Sequence, residues 1–287
     1  MFRAATGLAC ITVSLQAQSA DFAINTIVDT SYFESQDSET EWITRGLIEA
    51  SLSGQKEALS YRISGKMLEG QNASNDIGDI QIASNIDAKE FAKLYEYWLN
   101  YQLASLEGEV TLGQIDLNNK FAYADSASEF LNSSMGISPT IFTIPTYPEP
   151  AMSLVYEQPV TSDMSLAGAV SAGAGNSDFS DVFYMLEWRY QSSGALLKAG
   201  AWHHTGELTT LNGKVNDGSE GWYAVFEGQS EHLPIQYYAQ YGYTDDTLTE
   251  MTQHIGAGIT ASHFLFNQKA LVGFGMTAVK LSELVDT

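Results

Sequence analysis

Alternation of apolar and polar residues with a period of two runs through most of this chain. In residues 95–103, Tyr95, Tyr97, Leu99, Tyr101 and Leu103 fall on one face of an extended segment, and Glu96, Trp98, Asn100 and Gln102 on the other. Residues 58–68 set Leu59, Tyr61, Ile63, Gly65 and Met67 against Ser60, Arg62, Ser64 and Lys66. Residues 182–190 set Val182, Tyr184, Leu186, Trp188 and Tyr190 against Phe183, Met185, Glu187 and Arg189, and 235–244 repeat the pattern with Tyr237, Tyr241 and Tyr243. Similar segments lie at 23–32, 42–55, 109–116, 152–157, 164–172, 195–205, 221–229, 254–262 and 270–281. Ser193-Gly194, Asn212-Gly213 and Asp217-Gly218 punctuate them as hairpin turns. No segment of useful length carries the helical period. The pattern predicts an all-β, antiparallel protein of about 12 strands.

A sheet of that size must close or split into packed layers, because open edges template aggregation. The apolar faces here are dominated by Tyr, Trp, Ala and Gly near strand ends, which suits aromatic girdles around a lipid-facing belt and predicts a transmembrane β-barrel of the porin type. A soluble β-sandwich with Tyr-rich strands is the competing architecture. No run approaches 18 apolar residues, so no transmembrane helix is available; a barrel strand crosses with only about ten alternating residues. Residues 1–20 have one charge, Arg3, an apolar stretch from Ala4 to Leu15, and small residues at Ala17 and Ser19, the layout of a cleavable signal peptide cut after Ser19. Residues 21–287 are read as the barrel. The only cysteine, Cys10, lies inside the apolar stretch; a lipobox at Gly-Leu-Ala-Cys is the rival reading, disfavoured by its early position.

Thirteen Lys and Arg against 35 Asp and Glu give a net charge of −22, which excludes nucleic acid as a partner. With 15 Tyr, 13 Phe and 5 Trp, the acidic chain is not a solvated tail. No disulfide framework or thiol chemistry follows from one cysteine, and no cofactor or metal is implied. His203 and His204 are adjacent and point to opposite faces, and His232, His254 and His263 lack ligand spacing. Gly173-Ala-Gly175 and Gly256-Ala-Gly258 have the spacing of strand residues that relieve crowding on one face. Carboxylates such as Glu96 and Asp116 could serve a glycosidase, but pairs carry little weight among 35 acidic residues, and the chain is read as no enzyme.

The run LGQIDLNNKFAYADSASEFLNSSMGISPT, closing on PTYPEPAM, has a further signal. Asp116, Asn118, Phe121, Phe130, Leu131, Asn132, Ser133, Ser134, Gly136, Tyr147 and Pro148 form a cluster that resembles the carbohydrate-selective outer-membrane porins of the OprB type. The resemblance implies a sixteen-stranded barrel in the bacterial outer membrane, with the long loop 118–150 folded inward to constrict the lumen. Phe121, Phe130, Phe142 and Tyr147 would pack on the wall, with Asp116, Asn118 and Lys120 near the constriction. Against sixteen strands the tally here implies a barrel lacking its C-terminal strands, since the chain stops at Ser282-Glu-Leu-Val-Asp-Thr287 without a terminal aromatic residue.

Taking the faces from alternation, Arg62, Lys66, Glu96, Trp98, Asn100, Glu187, Arg189, Lys198, Trp202 and His204 point into the lumen, joined by Arg45 and Glu49. Sugars stack their C–H faces on aromatic rings and bond their hydroxyls to charged and amide groups, and this set supplies both. The expected function is passive diffusion of small carbohydrates, with outer-membrane lipid and lipopolysaccharide as surroundings and room for a homo-oligomer. The alternatives are a general or anion-preferring porin, or a secreted β-sandwich that binds or cleaves polysaccharide.

Overall fold

The computed structural model describes residues 3–17, 20–34, 41–72, 74, 78–245, 247–265 and 268–285. Its strands are β1 (Arg3–Ala17), β2 (Ala20–Glu34), β3 (Glu41–Lys56), β4 (Leu59–Gly70), β5 (Phe91–Leu103), β6 (Gly108–Ile115) and β7 (Ala151–Pro159). They continue as β8 (Met164–Ala172), β9 (Val182–Ser192), β10 (Ala195–Thr209), β11 (Val215–Gln229), β12 (Ile235–Thr244), β13 (Met251–Leu265) and β14 (Gln268–Leu281). Strand order follows sequence order, beginning at β1 and ending at β14. Every alternating segment of the sequence is a strand. The fourteenth is β1, drawn from the apolar run read as a signal peptide, so the count exceeds the expected dozen. Asp217-Gly218 is not a hairpin turn. It lies inside β11 where the ladder with β10 shifts between His204 and Glu207, and Gly218 takes a positive φ of 83° there. Ser193-Gly194 does turn β9 into β10, with φ of 43° and 83°.

The chain forms two compact units, 1–101 and 102–287. In the first, β3 buries Ile43, Arg45, Leu47 and Ser51 and exposes Trp42, Ile48 and Leu52. β4 exposes Leu59, Ile63 and Met67 and buries Ser64 and Leu68, as alternation requires. β5 departs from it. Ser64 pairs with Glu96 but Gly65 pairs with Leu94, so Tyr95 is an extra residue bulged out of the ladder. Leu94 and Leu99 are both 54% exposed, whereas Tyr95 is 0% exposed and shares the buried face with Glu96. The expectation that Tyr95 faces lipid is therefore corrected. The Lys66 ammonium sits 3.7 Å above its ring, a cation–π contact that stabilises the bulge by about 1 kcal/mol.

In the second unit the outward faces carry Leu112, Leu154, Leu186, Ile255 and Ile259, all exposed, with rings associated in rows: Trp188 on Tyr190, and Trp222 between Tyr241 and Tyr243. So large an apolar face suits hydrocarbon and would be a liability in water. Inward, the registers align Glu109, Glu157, Ala167, Glu187, Gly200, Tyr223, Gly242 and His254 as one row across eight strands. Small residues recur where a neighbour's large group lies down. A Cβ on Gly200 would stand 2.3 Å from the Tyr223 hydroxyl.

Candidate functional site

The segment between β6 and β7 has little regular structure, only two 3-10 turns (Leu117–Asn119 and Asp125–Ala127) and one helical turn (Ser133–Gly136). Its apolar residues explain where it goes. Leu117, Phe121, Ala124, Met135, Ile141 and Ile144 are buried, each large side chain contributing about 2 kcal/mol by leaving water. Asp116 caps the first turn, accepting from the Asn118 N–H at 3.1 Å and the Thr146 hydroxyl at 2.6 Å. Asn132 caps the helical turn, accepting from the Ser134 N–H at 3.0 Å.

The strands hold this loop by its backbone. Glu187 accepts from the Ala122 N–H at 2.8 Å, and Glu227 from the Ser126 N–H at 2.7 Å. Arg189 donates to the Lys120 carbonyl at 2.5 Å, and Lys198 to the Tyr123 carbonyl at 2.6 Å. Gln240 donates to the Ser134 and Met135 carbonyls. Phe142 meets the Trp202 ring edge-on at 5.7 Å, and Phe183 stacks on it at 5.9 Å. Burial pushes the Tyr123 phenol above its ordinary range, and Asp125 beside it acts in the same direction.

Charges beside the loop form a five-membered chain and a separate cluster of three. Glu109 and Glu157 stand opposite each other across the β6–β7 ladder, an unfavourable like pair on its own. Lys120 reaches back between them, 3.4 Å from Glu109 and 2.7 Å from Glu157. Arg189 then bonds Glu157 at 2.7 Å and Glu187 at 2.6 Å, its guanidinium carbon 5.8 Å from the Phe121 ring centre. The Tyr223 hydroxyl donates to Glu187 at 2.7 Å. Lys198 lies 3.2 Å from Glu227 and 3.8 Å from Asp125.

In the first unit Arg62 bonds Glu49 at 2.8 Å and lies 3.6 Å from Glu96. Arg45 is buried, bonded to Asp87 and 3.8 Å from Asp29; Asp87 also accepts from the Ser74 N–H at 2.7 Å.

A model of the carbohydrate-selective porins of the OprB family matches residues 50–284. The chain belongs to that family. Its fold is similar to that of Pseudomonas putida OprB in a high-pH structure, at a TM-score of 0.83 and 12% identity, covering 93% of this chain and 76% of that one. A Salmonella typhi OmpF complex with daunomycin also matches, at a TM-score of 0.41 and 11% identity over 99% of this chain and 92% of that one. No curated protein sequence matches. The fold is thus the all-β porin type, and the function is that of an outer-membrane channel for carbohydrates.

For an OprB-family porin the expected site residues divide by their surroundings. Lys120, Arg189, Arg62 and Glu49 keep part of their side chains open. Lys66, Trp98 and Asn118 are half-buried. Arg45, Glu96, Asn100, Asp116, Glu187 and Trp202 are buried, Trp202 to 2% exposure, with no ring face open to a sugar. His204 and Lys198 are buried as well. Glu109, Glu157, Glu227, Tyr223 and Gln240 were not foreseen. Alternation from Thr111 and Ser153 would have turned Glu109 and Glu157 inward, but their adjacency depends on register.

Proposed function

We propose that small neutral sugars cross this OprB-family porin beside loop 118–150, along a wall whose cations are each flanked by carboxylates. The supporting observation is the chain Glu109, Lys120, Glu157, Arg189, Glu187, in which each cation lies between two carboxylates. Such a wall offers donors and acceptors to hydroxyl groups, while two cations against three carboxylates leave it with only a small net negative charge to act on charged solutes. An anion-preferring pore would present cations without carboxylates at their sides. Within the first unit, Trp98 shares the inward face with Glu96 and Asn100 and is a separate aromatic platform for the C–H face of a sugar. The outward apolar rows meet outer-membrane lipid and lipopolysaccharide. Residues 1–20 act as the export signal, and cleavage after Ser19 leaves β2 as the first strand.

Swelling of reconstituted liposomes tests the reading. Glucose should enter several-fold faster than gluconate or lysine of similar size. Equal rates for all three would favour a general porin, and faster gluconate an anion-preferring one.

A further inference from the structure

Loop 118–150 is fastened by different means along its course. Near its start the contacts are ionic, through Glu187, Arg189 and Lys198. Farther along they are uncharged. Gln240, buried on β12, donates to the Ser134 carbonyl at 2.8 Å and the Met135 carbonyl at 2.7 Å. Its amide can lie flat because the residue opposite it in the ladder is Gly256, where a Cβ would fall 2.9 Å from the Gln240 nitrogen. Two residues beyond Gln240 is Gly242. Ser138 and Thr140, hydrogen-bonded to each other at 2.9 Å, descend onto it, and a Cβ there would lie 2.1 Å from one hydroxyl and 2.3 Å from the other. Both are short, buried side chains, so the loop backbone must move if anything is added at this position.

We infer that Gln240 and Gly242 are positioning residues for the sugar path. They touch no solute. They set how closely the far part of the loop lies on β12, and with it the space left beside the loop. The assignment rests on the reading that solute passes there, but ion conductance reads loop position independently of any sugar preference.

The test compares Gly242→Ala and Gln240→Leu with the native chain in planar bilayers and in liposomes swollen with glucose or the trisaccharide raffinose. Both variants should keep heat-modifiable migration on gels, while single-channel conductance and the glucose-to-raffinose ratio each change by about twofold or more as the loop shifts. Adding Ser138→Gly and Thr140→Ala to Gly242→Ala removes both obstructing hydroxyls and should restore native values. Gly46→Ala, whose Cβ would have its nearest neighbour at 4.0 Å, should leave both readouts unchanged. If Gly242→Ala does not assemble, Gln240→Leu decides, because it removes the two hydrogen bonds without adding bulk to the floor. Native conductance and native sugar ratio in the assembled variants would overturn the assignment. If instead the native chain passes glucose and gluconate equally while the variants still change conductance, the sugar reading fails and the positioning role stands.

Discussion

Two side chains carry most of the electrostatic argument. Lys120 separates Glu109 from Glu157, which face each other across adjacent strands. Lys120→Met leaves that like pair with less compensation. Because the ammonium is partly open to water, the expected loss is about 1 kcal/mol of stability. The channel should also become more cation-selective, read as a shift in zero-current potential across a KCl gradient. Glu187 is wholly buried and accepts from three donors, the Ala122 N–H, the Tyr223 hydroxyl and Arg189. In Glu187→Gln, one carboxylate oxygen is replaced by a donor facing donors, and a buried ion pair is broken. That should cost about 3 kcal/mol, seen as a lower temperature for conversion of the heat-modifiable gel band.

At the level of single strands, the bulge at Tyr95 makes a prediction that strict alternation would not. Leu94 and Leu99 are an odd number of residues apart yet share the outward face. With Cys10 replaced by Ser, a fluorophore on Leu94→Cys and one on Leu99→Cys should both be quenched by brominated lipid. Quenching at Leu99 alone would place Leu94 inward and remove the bulge. The strands and most of their faces were legible in the sequence because a half-buried sheet writes period two into it, as in 58–68 and 182–190. The bulge was not, since Lys93-Leu94-Tyr95-Glu96 contains no glycine or proline to mark the extra residue. Nor was register legible: that Glu109 meets Glu157, or that Gly200 lies under Tyr223, depends on how neighbouring strands slide. The candidate site was therefore half readable. Arg189 follows from alternation and Lys120 from the family resemblance, whereas Trp202, which alternation also turns inward, is covered by Phe142.

For the molecule as a whole, the acidity and the inward wall are separate matters. Glu107, Asp163, Asp178, Glu231 and Asp245 are exposed in turns and loops, away from the paired charges beside the loop. The net charge of −22 therefore describes the connections more than the path, and it gives no reason to expect strong cation preference in the native channel. The N-terminus supplies a test at the same scale. After export, N-terminal sequencing should begin at Ala20, with β1 removed. A product retaining Met1–Ala17 would overturn the signal-peptide reading and keep β1 paired with β2.

Most of the strand side chains that grip loop 118–150 hold peptide groups: the N–H of Ala122 and Ser126 and the carbonyls of Lys120, Tyr123, Ser134 and Met135. Peptide groups are the same whatever residue bears them. Apart from the side chains that pack or bond inward, among them Lys120, Phe121, Met135, Ser138, Thr140 and Phe142, the loop can exchange residues on its open side while its course stays fixed. Evolution, or a designer, can thus retune which solute is favoured by rewriting one segment, leaving the barrel wall as an unchanged socket.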